Sequence, residues 1–113
     1  MLPYQFRLTS PRDIGTILKR GMVVKGGYFS LYWRKNNLPH SRFGFIFSRK
    51  EIKKATERNL LKRRVSEITK ELVGGSQGGY DVLFIFSHNT TKLSFQELRE
   101  YVHTILQKIK IVK

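Results

Sequence analysis

The chain has 113 residues and carries 22 Lys and Arg against eight Asp and Glu, a net charge of +14 at pH 7. The length fits one compact domain, and a 40% hydrophobic content supplies a core, which excludes wholesale disorder. No apolar run approaches the ~18 residues of a membrane span, MLPYQFRLTS lacks the apolar stretch of a signal peptide, and zero cysteines exclude disulfides, thiol chemistry and Cys-ligated zinc, so the expected compartment is the cytoplasm.

The first helix signal is Ser10-Pro11-Arg12-Asp13. Ser is a good N-cap, Pro is tolerated in the first turn, and Asp suits the positive helix end. Ile14, Ile17 and Leu18 supply an apolar stripe and Gly21 a stop, which predicts a helix over about 11–20. A short strand near Met22–Lys25 is possible on this pattern. Residues 27–34 alternate, with Phe29, Leu31 and Trp33 on one face and Tyr28, Ser30, Tyr32 and Arg34 on the other. After a turn-rich connection at 35–40, residues 43–48 place Phe43, Phe45 and Phe47 together.

Between Lys54 and Leu72, Leu61, Val65, Ile68 and Leu72 fall on one helical face. Gly74, Gly75, Gly78 and Gly79 predict a flexible loop after it. The run 80–87 is nearly all apolar, as an interior strand covered on both faces requires. Ser94 and Glu97 form a capping box ahead of a stripe of Phe95, Leu98, Val102, Ile105, Leu106 and Ile109. This order of elements is an α+β single domain spanning 1–113, with helices packed on a small mixed sheet as a two-layer sandwich.

Roughly one net positive charge per eight residues repels itself on a folded surface, so a polyanionic partner is the economical reading. Nucleic acid leads over an anionic membrane, because the basic residues do not sit on a helix with a long lipid-facing stripe. Residues 49–64, RKEIKKATERNLLKRR, hold eight basic and two acidic residues. At roughly 100° per residue, Asn59, Arg63, Ser66 and Lys70 fall nearly opposite the apolar stripe, with Arg58 and Lys62 on one flank and Arg64 on the other. Like charges four apart, such as Arg58 and Lys62, cost a helix a few tenths of a kcal/mol, and Arg63 with Glu67 relieves this only in part. Phosphates would neutralise the excess: Arg binds them bidentately, Lys as a point charge, and Asn59 can bond a phosphate, a 2′-hydroxyl or a base edge. The bland alternative is a solvated basic face. Tyr28 and Tyr32 beside Arg34 suit unstacked bases, although tyrosines on a strand also pack under helices.

Catalysis by the chain itself has no support in these residues. His40, His88 and His103 show no metal-ligand spacing. The eight carboxylates form no evident acid–base pair or two-metal site, and the glycines at 74–79 lack the Lys and Ser/Thr of a phosphate-binding loop.

Ser48-Arg49-Lys50, seven further residues, then Arg58-Asn59-Leu60-Leu61-Lys62-Arg63 resembles the signature of the bacterial ribonuclease P protein component: a strand ending in Ser/Ala, Lys/Arg and Lys, then Ala, then Arg-Asn-Arg-x-Lys-Arg in a helix. Ala55 and Glu57 also fit, and the resemblance covers essentially the whole chain. It implies an αβββαβα fold with a left-handed βαβ crossover through the basic helix, against the usual right-handed rule. It implies two partners, a catalytic RNA subunit and the 5′ leader of precursor tRNA. The RNA would cleave with bound Mg²⁺, held mainly by RNA and substrate, and the protein would assist; no membrane, small-molecule substrate, protein catalytic residue or protein metal site is implied.

By the same resemblance, Arg49, Lys50, Arg58, Asn59, Lys62 and Arg63 take RNA contacts, Arg64 beside them is expected to join, and Tyr32 with Ile14, Leu18 and Ser48 takes the leader cleft. Three positions depart from the pattern. Leu60 stands at the motif's second Arg, Ser66 at a later helix Arg, and Ile14 and Leu18 where cleft aromatics are usual; Arg64 restores part of the lost charge. Arg58→Ala and Arg63→Ala are each expected to weaken function without unfolding the domain. The alternatives are a ribosomal-type RNA-binding protein with no role in cleavage, and a self-sufficient nuclease.

Overall fold

In the computed structural model, which describes residues 3–73 and 78–111, the chain runs α1 (Pro11–Arg20), β1 (Met22–Lys25), β2 (Phe29–Lys35), β3 (Arg42–Phe47), α2 (Ala55–Val73), β4 (Tyr80–Phe86) and α3 (Phe95–Lys108), with short 3₁₀ turns at Tyr4–Phe6 and His88–Lys92. The helix ends follow their caps. Ser10 Oγ accepts the Asp13 amide at 3.4 Å, and Gly21 closes α1 through its amide to the Ile17 carbonyl at 2.8 Å. Ser94 and Glu97 exchange hydrogen bonds at 3.0 and 3.1 Å. The Ser94 backbone amide, and after it the Ser94 side chain, holds the Glu97 carboxyl below the ordinary carboxylate range.

The sheet order is β1-β2-β4-β3; β3 and β4 are parallel and the other pairs antiparallel. Parallel neighbours need a crossover, and α2 supplies it. Strand β4 is interior, paired on both sides and covered on both faces, which explains its apolar run. Its residues divide by parity: Val82, Phe84 and Phe86 join α2 and α3 in the main core, whereas Leu83 joins Leu8 and Ile17 of α1 on the opposite face. The sandwich of sheet with α2 and α3 therefore carries α1 as a partial cover on its other side. Phenylalanines dominate the main core. Phe47 stacks on Phe86 at 5.2 Å between ring centroids, and Phe45 on Phe84 at 5.7 Å.

Two expectations are corrected. Tyr28 precedes β2 and does not share the face of Tyr32; it packs against the main core and its ring lies 4.9 Å from Tyr101 of α3. Its carbonyl also accepts from Ser87 Oγ and Thr90 Oγ1. Ser66 is only 5% exposed rather than outward, because the buried arc of α2 extends from Leu61, Val65 and Ile68 across Thr69 and Ser66 toward β3. Of the predicted glycine loop, Gly74 and Gly75 lie outside the described residues. Gly79 takes a positive φ of 96°, open to glycine without strain, as its carbonyl receives the Asn36 amide at 2.7 Å.

Candidate nucleic-acid interface

Strand pairing on the α1 side of the sheet sets three rows of side chains. The first is Arg34, Asp81 and Arg42; the second Val23, Tyr32, Leu83 and Gly44; the third Lys25, Ser30, Ile85 and Ile46. In the first row Arg42 donates to both carboxylate oxygens of Asp81 at 2.8 and 2.7 Å, and also to Asp13 of α1 at 3.3 Å. Asn36 adds a bond to Asp81 at 2.8 Å. The hydrogen bonds that Arg42 donates to Asp81 are the main cause holding its guanidinium above the ordinary range, against an opposing effect of burial. This clamp fixes the start of α1 over the sheet.

Ile17 and Leu83 fill the second row, with Ile14, Tyr32 and Ile46 packed around them. The third row lacks such a buried cluster: Ser30, Ile85 and Ile46 are half-buried. Tyr32 and Ile14 therefore border the third row at the place where the leader cleft is expected, with that row as its floor. Leu18, expected in that cleft, is 43% exposed and stands outside the cluster. The sequence places Ser30 on the face of Tyr32 but does not point to Ile85 and Ile46, because only the strand order brings them beside it.

From the floor, β3 runs directly into the basic segment. Ser48 continues the face of Ile46 by strand parity. Its Oγ accepts the Glu51 amide at 3.3 Å and its carbonyl the Ile52 amide at 2.8 Å. Ile52 is wholly buried in the main core and anchors the loop. Arg49, Lys50, Lys53 and Lys54 remain exposed around that anchor. On α2, Asn59, Lys62 and Arg63 are exposed, and among the described residues Arg63 makes no ion pair with Glu67. Arg64 is half-buried and donates to the Leu93 carbonyl at 3.3 Å. Leu60 is exposed among them.

Arg58 departs from the expectation of a purely outward group. It is half-buried, and its Nη1 donates to the carbonyls of Ile52 at 2.6 Å and Lys53 at 3.0 Å, tying the loop to the first turn of α2. Arg58→Ala is therefore expected to lower stability by about 1–3 kcal/mol, as loss of charged hydrogen bonds does, and to loosen the loop. Arg63→Ala should leave the melting temperature within about 2 °C, since surface changes stay near ±0.5 kcal/mol. Equal melting temperatures for the two variants, read by calorimetry, would show that Arg58 does not tie the loop to α2.

The histidines are dispersed. His40 Nε2–H donates to the Gln5 carbonyl at 3.0 Å and its ring stands edge-on to Phe6, while His88 and His103 are exposed on separate elements. Among the described residues no three His, Asp or Glu side chains gather into a metal site. The interface offers cations, amides, hydroxyls and aromatic surface, which suit binding and positioning of nucleic acid.

A family model described as Ribonuclease P matches residues 2–110. A ribonuclease P protein component of Thermotoga maritima is 36% identical over 108 residues, covering 92% of this chain and 92% of that relative. The solved RNase P protein structure from Thermotoga maritima matches with a TM-score of 0.81 and 34% identity, over 90% of this chain and 96% of that one. The Staphylococcus aureus RNase P protein structure matches in fold with a TM-score of 0.86 at 23% identity, over 96% of this chain and 98% of that one.

Proposed function

The chain belongs to the ribonuclease P protein component family, as a subunit of the ribonucleoprotein that cleaves tRNA precursors and so the partner of an RNA subunit, and on that premise we propose how its surface divides the work. Arg49, Lys50, Asn59, Lys62 and Arg63 dock on the catalytic RNA. The cleft of Tyr32, Ile14 and the third sheet row grips the single-stranded 5′ leader of precursor tRNA. The observation that carries this reading is the continuity of β3, whose Ile46 lies on the cleft floor and whose next residues enter the loop at Ser48–Lys50. A leader lying on that floor is delivered to the edge of the RNA-binding surface.

Positioning and charge neutralisation are what these groups supply. Cations along the loop and helix offset phosphate repulsion between leader and RNA subunit, and the Ile46 and Ile85 side chains of the floor accept bases without reading them strongly. Mg²⁺ is assigned to phosphates of the RNA and the substrate, because the donor set of the described residues offers no cage for it. No step of the cleavage is placed on this chain. No helix of the described residues is long and apolar enough to cross a membrane, and we place the particle in the cytoplasm.

Reconstitution at low Mg²⁺ tests the reading. Precursor tRNA is incubated with protein alone, RNA subunit alone, and both. Cleavage at the 5′ end is expected to be strong only in the mixture. Cleavage by protein alone would make it a nuclease in its own right, and no gain in the mixture would leave a binder of the ribosomal type.

A further inference from the structure

Strand β3 is an edge of the sheet, and its outer side is only partly covered. The N-terminal segment pairs there at one point, where the Leu8 amide donates to the Phe43 carbonyl at 2.9 Å. Close approach of that segment explains Gly44, where a Cβ would lie 2.8 Å from the Leu8 carbonyl oxygen. By the alternation of a strand, the peptide groups of Phe45 and Phe47 face the same outer side as that of Phe43. Among the described residues no segment pairs with them there.

Beyond Leu8 the edge opens into a cleft of about 250 Å³ between the N-terminal segment and α2. Phe45 and Phe47 line its aromatic side, Lys62 stands at its rim, and the small side chain of Ser66 leaves it open. The rings of Phe45 and Phe47 are half-buried and belong to the stacked column that continues through Phe84 and Phe86. The volume falls below the roughly 300–1,000 Å³ of a typical small-molecule site. The open edge spans only residues 45–47, too short for an added β-strand. Arg63, exposed on the same helix, extends the positive surface beyond the rim, with the Asn59 amide beside it.

We propose that this notch takes one unstacked nucleotide of the RNA subunit, its base lying on Phe47 and Phe45, its edge bonded to the free β3 peptide groups, and its phosphate on Lys62. The site is separate from the leader cleft, which lies on the other face of the sheet, and it rests on the reading that this chain docks on the RNA subunit. Aromatic surface, open backbone donors and acceptors, and the Lys62 ammonium together match a flipped nucleotide; an acidic or extended peptide would need a longer edge.

The test uses the full chain and the RNA subunit of the same organism, with affinity measured by filter binding and melting temperature measured alongside. Phe47→Leu keeps an apolar side chain in the core but removes the stacking face; it should weaken binding about tenfold, in line with the loss of one stacked base. Phe47→Tyr should bind as the parent does. Lys62→Gln should weaken binding and reduce the salt slope by about 1, whereas Phe47→Leu should leave the slope unchanged. Normalising to melting temperature separates a folding defect from a contact. If Phe47→Leu and Phe47→Tyr bind equally well while Arg63→Ala binds weakly, the notch is empty of RNA and the wider docking surface stands. If Arg63→Ala also binds normally, the docking surface itself is wrong.

Discussion

Affinity for the RNA subunit is expected to fall by about three orders of magnitude between 50 and 200 mM monovalent salt. The figure follows from about six phosphate contacts, each contributing close to 0.9 to the slope of log affinity against log salt. The contacts are available: Arg49, Lys50, Lys53, Lys54, Lys62 and Arg63 are all exposed on one loop and one helix face. They are not consumed internally, since the ion pairs among the described residues involve only Arg42 and Arg99. Removing Arg63 or Lys62 should lower the slope by about 1 each. A flat salt response would mean that binding rests on shape and hydrogen bonds, and that the exposed cations serve solubility.

Asp81→Ala is expected to destabilise the domain by about 3 kcal/mol, near the lower end for breaking a buried pair, because Arg42 keeps partial access to water. Side-chain exposures of 9% for Asp81 and 23% for Arg42 set that expectation. For a chain of this length the melting temperature should drop by roughly 10 °C. Asp13→Ala should have a far smaller effect, since that carboxylate is 39% exposed and its contact longer, at 3.3 Å. The informative readout is amide exchange: α1 should lose protection in Asp81→Ala before α3 does. Uniform loss would show that the clamp supports the whole sheet rather than the wall of the cleft.

Local signals were legible in the sequence and distant ones were not. Ser10, Gly21 and the Ser94–Glu97 box announce helix ends because each acts within four residues. The apolar run of β4 announces an interior strand because both of its faces are covered. The clamp was invisible, since Arg42 lies 39 residues from Asp81 and 29 from Asp13. Ser66 was misplaced for a related reason: the four leucine, valine and isoleucine positions locate the centre of the buried face, but its width depends on how far α2 leans toward β3. Arg58 carries a cation in a basic run, and nothing in its spacing reveals two loop carbonyls folded back beneath it. Lys62 and Arg63, neighbours of Asn59, are exposed as helical periodicity predicts, because the widened buried arc does not reach them.

The absence of cysteine allows a single thiol to be introduced without interference. An iron–EDTA probe attached through Asn59→Cys, in the reconstituted particle, is the most direct test of the docking surface. It is expected to cut the RNA subunit at a few discrete positions, while the same probe attached through Glu100→Cys on α3 cuts weakly and diffusely. Strong cutting from residue 100 and none from residue 59 would place the RNA on the opposite side of the protein.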